Sequence, residues 1–139
     1  LRFPLGHTLQ WRRYAGSLLY LTQAMDSPWS RLEILWSGYP NMVAIVGDKD
    51  SWPNARRLYP LVYTYENVYL DLAYVMDDQG IEDMTARFGA ERLLFGTAFP
   101  ERYAGSQMAL LRSAMINKED REKIFAGNLE RIIGEEVLK

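Results

Sequence analysis

Residues 92–97 read Arg-Leu-Leu-Phe-Gly-Thr. A short apolar run of this kind, bounded by turn residues, is the pattern of a strand buried on both faces. Two earlier runs share it. Met42–Val46 (MVAIV) lies between Pro-Asn and Gly-Asp, and Val68–Ala73 (VYLDLA) carries one charge, Asp71, near its end. Helical windows separate the three. Asn54 is placed to cap a helix reaching about Tyr65, which Pro60 kinks or divides, and Ile81–Phe88 reads as a short helix closed by Gly89. Strands alternating with helices predict an α/β fold of parallel βαβ units with right-handed crossovers.

Outward from this block the same alternation continues. Upstream, a helix over Trp29–Ser37 presents Trp29, Leu32, Leu35 and Trp36, with Ser27-Pro28 as its start signal and Gly38, Pro40 and Asn41 as its stop. Tyr14–Met25 places Leu18, Leu19, Leu21 and Met25 on one side of a helix, and Leu1–Leu5 reads as a short strand. Downstream, Gly105–Ala114 is a helix. Asn117 caps another over Lys118–Ala126, with Asp120 at the capping-box position. Gly127 reads as its stop, and Asn128 as the cap of a final helix.

The chain has 139 residues, 48% of them hydrophobic, 13% aromatic and 24% charged, the balance of a globular domain. Sixteen basic against eighteen acidic residues leave a net charge of −2, so no nucleic-acid partner is expected. No stretch approaches the roughly 20 apolar residues that span a bilayer, so no membrane partner is expected. No basic-then-apolar leader opens the chain, and a cytoplasmic location is expected. The absence of cysteine excludes disulfides, thiolate catalysis and sulfur-bound zinc, and one histidine limits imidazole chemistry to His7. No repeat or linker divides residues 1–139, which read as one domain or part of one. The apolar opening at Leu1 reads as a piece of something longer.

In parallel α/β folds the chemistry gathers in the loops that follow the strands. After the first run come Gly6, His7 and Thr8. After MVAIV come Gly47, Asp48, Lys49, Asp50, Ser51 and Trp52; after VYLDLA come Tyr74, Asp77 and Asp78; Thr97, Ala98, Phe99, Pro100 and Glu101 close the last. His7 is a metal ligand, a base or a hydrogen-bonded strand-end residue. Asp48 and Asp50, with Asp71, form either an oxygen-rich cation site or a solvated loop. Asp71 is the weightiest: a carboxylate in a buried strand must be paired, hydrogen-bonded or functional. The glycines at 47, 80, 89 and 96 are isolated, so they make no phosphate loop, and no Gly-x-Ser-x-Gly elbow occurs.

The segment Glu91-Arg92-Leu93-Leu94-Phe95-Gly96-Thr97-Ala98-Phe99-Pro100 resembles the eighth-strand signature of the metal-dependent amidohydrolase superfamily, in its amidohydrolase-related branch of hydrolases and decarboxylases. The likeness runs on through the helix 105–114, Lys118–Ile124 and Gly127–Ile132. Upstream, Trp52–Leu58 and Asn67–Leu72 look like the branch's sixth-to-seventh strand region, and residues 1–25 match the fourth strand more loosely. This resemblance implies the C-terminal portion of a (β/α)8 TIM barrel, a fold that needs ~250 residues when whole. The fifth strand has no room between Met25 and Trp29, which implies a missing segment there.

The same resemblance implies a divalent metal, zinc or manganese, and here the sequence departs from the family. The sixth-strand histidine position falls at Gly47 or Asp48, and Ala98 stands where the family has its metal-binding aspartate. A metal would then require ligands from outside this chain. Three expectations follow. One is an amidohydrolase-like barrel with a degenerate site. The second is a working hydrolase or decarboxylase with displaced carboxylate ligands Asp48, Asp50, Asp71 and Glu101, suited to magnesium, manganese or calcium. The third is a non-catalytic interaction module, self-associating to cover its strand edges. A small molecule is the ligand expected of the first two, with Tyr74 and Thr97 at its strand-end pocket.

Overall fold

The computed structural model describes residues 29–39, 41–47 and 55–137. The expected strand at Leu1–Leu5, the helix over Tyr14–Met25 and the Asn54 cap lie outside them. Helix α1 spans Trp29–Gly38, strand β1 Ala44–Val46, α2 Ala55–Thr64, β2 Val68–Asp71, α3 Gly80–Phe88, β3 Leu93–Leu94, α4 Ala104–Ser113, α5 Lys118–Glu122 and α6 Asn128–Val137. The strands form one parallel sheet in the order β1-β2-β3, with Ala44 opposite Val68, and Leu70 opposite Leu93.

Alternation along the strands sorts their side chains onto two faces. Ala44, Val46, Val68, Leu70 and Leu93 join the larger core, together with Trp36 of α1, Leu58 and Val62 of α2, Ile81 and Met84 of α3, and Leu111 of α4. Both crossover helices, α2 and α3, therefore pack on this one face. The opposite face carries Ile45, Tyr69 and Leu94, which Ile132 and Leu129 of α6 cover. Asp71, two residues after Tyr69, falls on that second face at the C-terminal end of the central strand.

The ends of the elements depart from the sequence reading in instructive ways. Strand β3 holds only Leu93 and Leu94, because Arg92 closes a 3-10 turn over Ala90–Arg92. From there its guanidinium donates to the carbonyls of Val62, Tyr65 and Val68. Leu72–Tyr74 form a second 3-10 turn in place of the expected continuation of β2. Pro60 sits inside α2 without dividing it.

Gly127 does not stop a helix, and Asn128 does not cap one. Lys123–Gly127 form a π-helical segment that joins α5 to α6, and Asn128 has helical dihedrals. The buried Asn128 side chain instead donates to the carbonyls of Ala90 (2.7 Å) and Leu93 (2.8 Å). The wider turn leaves the Ile124 carbonyl to accept from the Phe95 N–H at 3.0 Å. The Asn117 cap is as expected: its side-chain oxygen accepts from the Asp120 N–H at 2.7 Å. Asp120 answers to the Asn117 amide rather than to its backbone.

Candidate functional site

The three parallel strands end on the same side, and Asp71 closes the middle one. Its Oδ1 accepts from the Ala73 N–H at 2.8 Å, which starts the 3-10 turn and fixes the side chain. The neighbouring strands continue into Gly47 and Gly96, and both glycines let the carboxylate lie directly against the backbone. A Cβ on Gly47 would fall 2.5 Å from the Asp71 Cβ and 2.9 Å from Oδ2. On Gly96 it would fall 2.5 Å from Cγ and 2.6 Å from Oδ2. Real side chains do not approach this closely, so Gly96 is required by the carboxylate and Gly47 by the Asp71 side chain from its Cβ outward.

Asp71 is partly buried, with its carboxyl group set against the backbone of both glycines. Burial pushes its pKa up from 3.8 to about 6, and the Ala73 N–H opposes that rise only partly. None of the ion pairs among the described residues includes it. A charge removed from water without a counter-charge is a cost to folding and a common mark of a working site.

A second cluster links the loops after β2 and β3. The Tyr74 hydroxyl donates to Glu101 Oε2 at 3.0 Å, and the Arg102 guanidinium lies 5.4 Å over the Tyr74 ring and 2.9 Å from the Met76 sulfur. Thr97 Oγ1 accepts from the Phe99 N–H at 3.3 Å, which shapes the turn after β3. Ala98 within that turn has φ 53°, in the left-handed region where a Cβ is disfavoured and glycine, asparagine or aspartate is better tolerated. Of the strand-end residues singled out from the sequence, Asp71 sits at the sheet end, and Tyr74 and Glu101 meet. Thr97 turns back on its own loop. His7, Asp48 and Asp50 lie outside the described residues.

Gly47 and Ala98 offer no donor atoms, and among the described residues no three His, Cys, Asp or Glu side chains converge. The described residues by themselves do not supply the donor set for the divalent metal that the amidohydrolase resemblance implies. The sequence reading passed over Gly47 and Gly96 because they make no phosphate loop. The signal that finds them is positional: a glycine just beyond the strand on each side of a strand-end aspartate. No protein-family model matches the chain, and no curated protein matches it.

Proposed function

We propose that this chain is the second half of an amidohydrolase-like barrel whose strand-end site binds a small molecule without the family's metal. The observation that carries the reading is the Asp71 carboxyl group, set between Gly47 and Gly96 at the ends of three parallel strands. Supporting it are the sequential strand order and the packing of both crossovers on one face, the arrangement repeated around a (β/α)8 barrel. Ala98 supports loss of the metal chemistry, since its side chain can neither coordinate an ion nor hold a proton.

Metal analysis tests this directly. The chain, purified after exposure to zinc or manganese and desalted, should retain well under one equivalent; a stoichiometric ion would overturn the reading. A second reading, hydrolysis or decarboxylation with Asp71 as proton carrier, draws on the same raised pKa, since a group titrating near neutrality suits proton transfer. Hydrolysis of p-nitrophenyl acetate that disappears in Asp71→Asn would favour it, and turnover untouched by that change would remove it.

A further inference from the structure

We propose that the strand-end site takes an organic cation, a primary ammonium group seated on the Asp71 carboxylate and carried on an apolar body. The inference rests on reading the strand ends as the ligand site and assigns the chemistry of what they hold. Asp71 is a carboxylate with one oxygen held by the Ala73 N–H and no cationic partner in the ion pairs of the described residues. An ammonium supplies both the missing charge and the missing donors. An anion would be repelled, and a neutral ligand would leave the charge uncompensated.

The loops that follow β2 and β3 are acidic on balance. The loop after β2 presents Asp77 and Asp78, both exposed, and the loop after β3 presents Glu101 beside the Tyr74 hydroxyl. Arg102 is the one basic residue of these two loops, and its guanidinium is already engaged with the Tyr74 ring and Met76. An end of the sheet with this excess of carboxylates raises the local concentration of cations. The apolar body is suggested by Met76, Phe99 and Tyr103 on the same two loops, which are 71%, 67% and 83% exposed. Aromatic faces add their own attraction for a cation.

Proton linkage gives a signature. A bound ammonium holds Asp71 ionised, so binding competes with protonation and weakens as pH falls through about 6. The probe is benzylammonium, titrated into the 15N-labelled full chain at pH 7.5 and followed at the Gly47 and Gly96 amides. Benzyl alcohol and benzoate serve as the neutral and anionic controls. Saturable shifts with benzylammonium alone are expected, with affinity falling about tenfold by pH 5 and at least as much in Asp71→Asn, which keeps the shape and the Ala73 hydrogen bond. If benzyl alcohol or benzoate moves those amides as well or better, the strand-end site stands and the cation assignment fails. Benzylammonium binding unchanged in Asp71→Asn or at pH 5 also defeats the assignment. If no probe moves them, the assignment and the ligand-site reading fall together.

Discussion

At the N-terminal end of the sheet, polar side chains are spent on carbonyls. Arg92 ties the end of α2 to the start of β2, Asn67 donates to Met42 (2.8 Å) and Tyr39 (3.4 Å) ahead of β1, and Asn128 pins α6 to β3. The C-terminal end shares part of this pattern, since the buried Gln107 amide donates to the carbonyls of Ala73 (2.9 Å) and Val75 (3.2 Å). It differs at Asp71, which has no counter-charge in the ion pairs of the described residues, and at Ala98, which holds a left-handed backbone. One end is tied by neutral and cationic donors, and the other keeps a carboxylate without a cation. That division is expected where a parallel sheet uses one rim for stability and the other for chemistry.

The contrast can be broken most sharply at Arg92. Replacing it with alanine removes a donor from the carbonyls of Val62, Tyr65 and Val68 together with a half-buried side chain. Urea unfolding of Arg92→Ala should show a loss of about 3–4 kcal/mol. A loss under about 1 kcal/mol would mean that this end is not the stabilising one.

Gly96→Ala probes the opposite end. The new Cβ overlaps the Asp71 carboxylate, and a loss of about 2–3 kcal/mol is expected. The same change in an Asp71→Ala background should lose much less. Equal losses in the two backgrounds would show that the glycine is needed for something other than the carboxylate.

Asp71→Asn should move stability the other way. The folded carboxyl titrates at about 6 against 3.8 ordinarily, so folding favours its protonated form. Its contribution is fully present below pH 3.8 and is lost as pH rises through about 6. At pH 8 the asparagine variant should therefore be more stable than the parent by about 1–3 kcal/mol, with no advantage near pH 4. Thermal unfolding across that range reads the difference, and an asparagine variant less stable at pH 8 would contradict the assignment. The smallest effect is expected at Ala98→Gly, a gain of about 1 kcal/mol from relief of the left-handed backbone, measured by the same unfolding.

Much of the fold was legible because its signals are local. Continuous apolar runs marked β1 and β2, Gly89 closed α3, and Asn117 capped α5 through its own side chain. What misled was a local signal answered by a distant group. Gly127-Asn128 has the look of a helix stop and a new cap, yet Asn128 is turned to carbonyls 38 and 35 residues away, and the helix runs through. Arg92 likewise leaves the strand because its partners lie on α2 and β2. The candidate site was half legible. A charge inside an apolar strand singled out Asp71, but the glycines that accommodate it carry no chemistry of their own and acquire meaning only once the strand register places them alongside it.

The most direct measurement is the titration of Asp71 itself. In the full chain labelled with 13C at its aspartates, the carboxyl resonance assigned to Asp71 by its loss in Asp71→Asn should titrate with a midpoint of about 6. A midpoint at or below 4 would show a solvated or cation-paired carboxylate and would contradict the account of the strand-end site.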